Sequence, residues 1–329
     1  MRHRALGVGA MVLLALVYLA SAAAGFVAPY DPLRQHRDFR FAPPVHVHLA
    51  SSTGALRPFV YALVPSGDDA YVEDTRREYA VRFFVGGHLF AVDPPARLFL
   101  MGTDEYGRDV LSRLVHGAGI SLTGGLLAAI AAVAIGFAVG GIAGYYGGVG
   151  DHLLMRVTEL VMTVPWVYLL LALRAALPLY LEPRDALLLM VVVVGGVAWA
   201  RPALLVRGVV LGARGREFAL AARSFGASDR YVLFRHVLPQ AAGVALTQLA
   251  ILAPQCTLAE VTMSFFGLGV GEPVPSWGNM LAGAQRYHVL TSYWWMFAPG
   301  IALAGVFLLY YALTDAIHHR LALRPSYPS

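Results

Sequence analysis

LLLMVVVVGGVAWA, residues 187–200, carries no charged side chain. A helix through it would be apolar on every side, with no polar face to offer water. Its surroundings must therefore be lipid or the inside of a helical bundle. The rest of the chain agrees. Of 329 residues, 58% are hydrophobic and 14% charged, against about 25% charged in soluble domains. Six stretches, 5–28, 119–146, 153–178, 186–211, 240–266 and 293–317, are long and apolar enough to cross about 30 Å of hydrocarbon as helices. Length here counts spans rather than globular domains. The first stretch follows MRHR and exceeds the apolar core of a signal peptide, so it reads as a retained span. The fifth is interrupted by Pro254, Gln255 and Glu260 and should face protein or a pathway rather than lipid all round. The single cysteine, Cys256, excludes an intrachain disulfide and reads as a small packing residue in an apolar run.

All 25 basic residues are arginine. A phosphate-binding P-loop needs a lysine, so any ATP hydrolysis that drives this protein belongs to another polypeptide. With the N-terminus in the cytosol, eleven arginines lie inside: Arg2, Arg4, Arg156, the six from Arg207 to Arg235, Arg320 and Arg324. Two, Arg184 and Arg286, lie in short outer loops, which satisfies the positive-inside rule. An even number of spans places both termini in the cytosol and residues 29–118 outside. The pI of 9.4 suits attraction to an anionic inner leaflet. Within the outer segment, short β-branched and aromatic runs at 44–49, 57–64, 78–85 and 88–92, separated by turn residues, predict a small β-rich insertion. His46 and His48 alternate and share one strand face; two histidines alone read as an exposed face rather than a metal site. Asp104, Arg108, Asp109 and Arg113 are expected to form an ion-paired ledge beneath this insertion. The five tryptophans read as interfacial anchors.

Between the fourth and fifth spans lies REFALAARSFGASDRYVLFRHVLPQ, residues 216–240. Phe218, Ala221, Ala222 and Phe225 recur at helical spacing and predict one face of a short helix. Arg223 lies on another face. Gly226 suits its C-terminal stop, and Ser228 an N-cap for a second short helix that carries Arg235; Pro239, after Leu238, ends that helix or begins the next element. Three readings fit this pattern: a knob that docks on another protein, an amphipathic segment on anionic headgroups, or an ordinary positive-inside loop.

Ala221, Ala222, Gly226, Leu238 and Pro239 resemble the EAA loop of ATP-binding-cassette importer permeases, with Leu220 in place of its Glu and His236 in place of its Ile. APYDP (28–32), GTDEYGRDVLSRLVHG (102–117), GYYGG (144–148) with Asp151, Arg156 and Pro165, Trp199 and Arg207, EVTMSFFGLG (260–269), PVPSWG (273–278), Pro299-Gly300 and Asp315 are similar to the C-type permease subunits of peptide, nickel and opine importers. The resemblance covers about 1–32 and 100–324. Residues 33–99 are longer than that family needs, and nothing is carried over for them.

The resemblance implies an all-α membrane protein, six transmembrane helices of the type I importer permease kind; the β-rich extracytoplasmic insertion between helices 1 and 2 is read from the residues alone. Its parts are residues 1–28, the tail and first helix; 29–118, the outer loop; 119–317, the five-helix core; and 318–329, a cytosolic tail. The segment 213–239 becomes the ATPase-coupling loop, with Ala221, Ala222, Arg223, Phe225, Gly226, Arg235, Leu238 and Pro239 as its residues. Implied partners are cytosolic ATPase subunits, a B-type permease, an extracytoplasmic solute-binding protein, the lipid of a bacterial inner membrane and a peptide substrate. Nickel chelates or opines remain open as substrates. Glu260, with Ser264 beside it, reads either as a pathway or gate residue or as a hydrogen bond that holds the SFFGLG turn. No catalytic triad, metal site, cofactor motif or nucleic-acid surface is legible, so the chain is expected to be a pore subunit and not an enzyme. An ion-driven secondary transporter and a non-transporting membrane scaffold are the alternatives. The former usually shows inverted repeats, of which the sequence gives no clear sign.

Overall fold

The computed structural model describes residues 2–50, 56–67, 70–165, 168–169, 172 and 182–322. The chain forms two compact units, one of residues 1–14, 124–260 and 306–329, the other of 15–123 and 261–305. The helices are α1 (Arg2–Ala22), α2 (Ala24–Val27), α3 (Val110–Tyr146), α4 (Gly148–Thr163), α5 (Pro183–Ala198), α6 (Ala200–Arg214), α7 (Glu217–Ser224), α8 (Asp229–Val232), α9 (Leu238–Phe265), α10 (Trp277–Gly283), α11 (Tyr287–Ser292) and α12 (Ala298–Ala322). Among the described residues, three continuous helical stretches, Val110–Tyr146, Asp229–Phe265 and Trp294–Ile317, are long and apolar enough to cross a membrane. The apolar part of α1, Leu6–Ala22, is shorter. The expected third span, 153–178, begins in α4, but its second half, including Trp166, lies mostly outside the described residues.

The stretch that decides the fold class is bent. The expected span 186–211 divides into α5 and α6, which meet at an angle of 45°. Pro202 supplies the cause. Its ring would strike the carbonyl four residues back, at Ala198, and it has no N–H to bond there; Ala198 is where α5 stops.

In the larger unit, α3 turns Gly136, Gly140 and Gly144 toward α6. A Cβ on Gly140 would collide with the Ala203 carbonyl oxygen, and one on Gly144 would lie 2.9 Å from the carbonyl oxygen of Arg207. Lipid gives helices no hydrophobic reason to associate, so close backbone approach of this kind supplies the contact. Gly125 does the same for Thr257 of α9, and Gly7 of α1 for Ala316 of α12. Pro254, inside α9, deprives the Ala250 carbonyl of its helical donor. The Thr314 hydroxyl of α12 answers it at 3.4 Å, shared with the carbonyl of Tyr310 at 2.8 Å. Cys256 is buried as a packing residue.

In the other unit, strands β1 (His48–Ala50), β2 (Leu56–Pro65) and β3 (Tyr71–Ala80) form an antiparallel sheet, and β4 (Arg82–Val85) with β5 (His88–Ala91) a separate hairpin. The sequence pattern expected one strand over 78–85. The chain instead turns at Val81, which donates to the Pro58 carbonyl. β3, rich in Glu, Asp and Arg, was not expected; it is an edge strand, where charge discourages further pairing. Val45, Val60, Leu63, Leu98 and Phe99 make the sheet's core. His46 and His48 both face Glu73, at 3.1 and 3.7 Å. No group of three or more His, Cys, Asp or Glu placed to hold a metal occurs among the described residues.

The ion-paired ledge differs from its expected membership. Arg108 pairs with Asp104 at 2.7 Å and with Glu272 at 2.6 Å, while Arg113 reaches Glu272 at 2.8 Å. Glu272 is therefore its keystone. Asp109 takes no part: its Oδ2 accepts the Ser112 N–H at 2.7 Å and hydroxyl at 2.6 Å, which starts α3. Trp277 and Trp295 are buried and donate to the carbonyls of Leu114 and Thr103, so they are packing residues and not interfacial anchors.

Candidate functional site

The segment 213–239 folds as two short helices joined by a sharp corner. α7 has a β-region Arg216 before it and Glu217 in its first turn, where a carboxylate complements the helix dipole. At its other end Ala227 N–H bonds the Ala222 carbonyl at 3.1 Å and Gly226 N–H bonds that of Arg223 at 2.9 Å. This pair of bonds is the Schellman closure, which requires a left-handed residue; Gly226 supplies it at φ +84°. The Ser228 hydroxyl accepts the Tyr231 N–H at 3.4 Å and caps α8.

Helix α8 does not stop at Pro239, which stands in the first turn of α9, the second of the two roles the sequence left open. It passes through a π-turn, Leu233–Val237, and runs on into α9. The Leu238 N–H bonds the Leu233 carbonyl five residues back. The wider turn accommodates a ring that would crowd the Arg235 carbonyl in regular helix. The segment 213–239 thus runs without a break into a helix long and apolar enough to cross a membrane.

The buried face of α7 is also shifted from its expected place. Ala219 is fully buried, with Phe218 and Ala222 packed beside it against Val206, Val210, Val232 and Val237. Ala221 points outward, and Phe225, at the C-cap, is 92% exposed. Helical spacing alone treats Phe225 as the next turn of the face, but the chain has already begun its corner there.

Polar groups fix the knob to the end of α3. Tyr145 hydroxyl donates to Asp229 Oδ1 at 2.9 Å and accepts from Arg223 Nη2 at 3.1 Å. The Arg223 guanidinium also lies over the Tyr145 ring at 5.4 Å. Arg214 donates to the carbonyls of Gly144 and Tyr145, at 3.1 and 3.0 Å. Nearby, Arg207 clasps both oxygens of Asp151, at 2.5 and 2.6 Å, the bidentate geometry that makes arginine–carboxylate pairs strong. Arg207 holds the Asp151 carboxyl below the usual carboxylate range. Sequence reading found Arg223 but missed Tyr145, Asp229 and Arg214, whose roles appear only when α3 and the knob meet. With Ala221, the outward side chains include Leu220, Phe225, Arg230, Tyr231, Phe234 and Arg235.

Glu260 and Ser264 lie farther along α9, one turn apart. Glu260 is 1% exposed. It packs beside Gly124 of α3, where a Cβ would lie 3.8 Å from the glutamate side chain and 2.7 Å from the methyl of Met190. Ser264 is buried against Gly269 and Gly278.

Residues 132–323 match the family of binding-protein-dependent transport system inner membrane components. The dipeptide transport system permease protein DppC of Bacillus subtilis is 33% identical over 229 residues, 69% of each chain. The oligopeptide transport system permease protein OppC of the same organism is 32% identical over 71% of this chain and 75% of its own. The di/tripeptide transport system permease protein DppC of Pseudomonas aeruginosa is 29% identical over 92% of this chain and 82% of its own. The chain belongs to the family of inner-membrane components of binding-protein-dependent transport systems.

Proposed function

We infer that the chain is the permease subunit of an ATP-driven importer that carries di- or oligopeptides into the cytoplasm by alternating access. The observation that carries this reading is the knob at 213–239: capped at both corners, pinned by Tyr145, and continuous with α9. Such a piece transmits displacement rather than absorbing it. The names of the relatives support peptides as the cargo. ATP hydrolysis falls to separate cytosolic ATPase subunits that seat the knob. A B-type permease completes the pore, and a solute-binding protein delivers cargo from outside. The topology is six spans, with α5 and α6 together as one bent span, α1 as the first, and both termini cytosolic. Residues 29–118, with their strands, lie outside. Glu260 and Ser264 serve the pathway as lining or gate.

Reconstituted proteoliposomes with the ATPases, the B-type permease and the solute-binding protein test this. Uptake of labelled dipeptide that requires ATP is the expected result. Uptake driven by an ion gradient without the ATPases would make the protein a secondary transporter. Assembly without uptake of dipeptide, oligopeptide, nickel chelate or opine would leave only a scaffold.

A further inference from the structure

The β4–β5 hairpin carries a face that neither the sheet nor the coupling knob explains. Phe83, Phe84 and Val85 are consecutive in sequence yet exposed by 53%, 74% and 38%. In regular strand, neighbours point to opposite sides, so three apolar neighbours in a row would not normally all stay uncovered. Phe84 breaks the alternation at φ +58°, a conformation that bulky residues rarely adopt. The hairpin around it is tightly specified. Gly86 and Gly87, both at positive φ, form a two-residue turn that sets Val85 opposite His88.

The unusual residue reaches the end of the first apolar helices. Its ring stacks on Phe26 of α2, centroids 6.1 Å apart. His88 Nδ1 donates to the Ala28 carbonyl, just past that helix, at 2.8 Å. Phe26 and Phe84 join helix and hairpin in one apolar contact, and Leu16 and Leu19 of α1 are exposed as well. Charge follows the same division. Residues 83–92 contain no Asp, Glu or Arg, whereas β3 alone holds Glu73, Asp74, Arg76, Arg77 and Glu78. At the hairpin's base Arg82 pairs with Asp93.

We propose that the tip of the β4–β5 hairpin is a lipid anchor: Phe83, Phe84 and Val85 enter the outer leaflet beside the first span, at the boundary between headgroups and acyl chains. Lipid is the occupant because the patch extends the surface of a membrane helix and is aromatic, as side chains at that depth tend to be. The Arg82–Asp93 pair then sits at headgroup level, and the charged sheet stays in water. The anchor holds the insertion at a fixed height and tilt over the membrane. The inference rests on the reading of α1 as the first span.

Nitroxide labels on Leu16→Cys, Arg76→Cys and Val85→Cys, each in a Cys256→Ala background, report the surroundings of the full chain in phosphatidylethanolamine/phosphatidylglycerol vesicles. Collisions with oxygen mark lipid, and collisions with a water-soluble nickel chelate mark solvent. Labels at 16 and 85 should collide mainly with oxygen, and the label at 76 mainly with nickel. Nickel access at 85 equal to that at 76, with 16 still in lipid, overturns the anchor while leaving the span intact. Nickel access at 16 overturns the span and the anchor together. Nickel access at 85 that vanishes only when the solute-binding protein is added assigns the patch to that protein and also overturns the anchor. Phe83→Cys gives the same reading should Val85→Cys fail to fold.

Discussion

Gly226 sits at φ +84° in open space; a Cβ there would meet nothing within 4 Å. The cost of Gly226→Val is therefore backbone strain alone, about 1–3 kcal/mol, and it falls on the Schellman closure. Insertion of the spans should be unaffected, while the ATPase subunits no longer co-purify in mild detergent or do so without uptake. Wild-type binding and transport would remove the docking role. Phe225→Ser separates docking from folding, since so exposed a side chain should change stability by no more than about 0.5 kcal/mol. Its thermal midpoint should match the wild type while ATPase retention falls. Asp109 poses a different question. Burial pushes its carboxyl from 3.8 up to about 7, against the pull of its two bonds from Ser112. An acid whose folded pKa exceeds its unfolded value binds its proton more tightly when folded. Stability is then greatest below pH 3.8 and declines, by about 1.4 kcal/mol per pH unit at most, until pH reaches about 7. Asp109→Asn removes that decline. Thermal midpoints in detergent should show the variant gaining on wild type from pH 4.5 to pH 8, and an unchanged difference would mean that Asp109 is not buried as a neutral acid.

Packing of whole elements turns on where backbones touch. Gly140→Leu drives a side chain into the Ala203 carbonyl and the Arg207 N–H, 3.0 Å from the new Cβ. Backbone cannot retreat as a flexible side chain can, so overpacking of at least about 1–3 kcal/mol is expected, with lower membrane levels and thermal midpoint. Gly208→Leu on α6, where a Cβ meets nothing within 4 Å, should be silent; equal damage from both would show that α3 and α6 do not pack as described. Several elements were legible beforehand because their signals are local. Apolar length marks the α3, α9 and α12 helices, Gly226 marks a corner, and Ser228 marks a cap. The misses have physical causes too. β3 hides behind edge charges, and Phe225 continues a helical period that the corner has already ended. Glu272 lies 164 residues from Arg108, so no local pattern could enter it in the ledge. Pro202 was visible, but whether a proline bends a span or merely begins a turn depends on the helix packed beside it.

For the molecule as a whole, the decisive quantity is which side of the membrane each basic surface meets. The arginine bias argues for a knob in the cytosol and strands outside, and the proposed coupling role depends on that topology. The structure provides matched reporters for the two sides. Arg76 and Arg77 lie on the edge strand β3, with the Arg76 side chain 92% exposed. Arg230 and Arg235 are exposed on the knob. Both pairs offer trypsin cleavable bonds, so a difference between them reports sidedness and not a lack of sites. An edge strand resists proteolysis more than a loop does, which makes brief local opening the limiting step at Arg76 and Arg77. Trypsin added to intact spheroplasts should therefore cut slowly within 70–82 and leave 214–235 whole. In inverted vesicles the pattern should reverse, with cuts at Arg230 and Arg235 and none at Arg76 or Arg77. Addition of the ATPase subunits to those vesicles should then slow cleavage of the knob, because its exposed face would be seated in them. Cleavage at Arg230 from outside the spheroplast would invert the topology and with it the coupling role of residues 213–239.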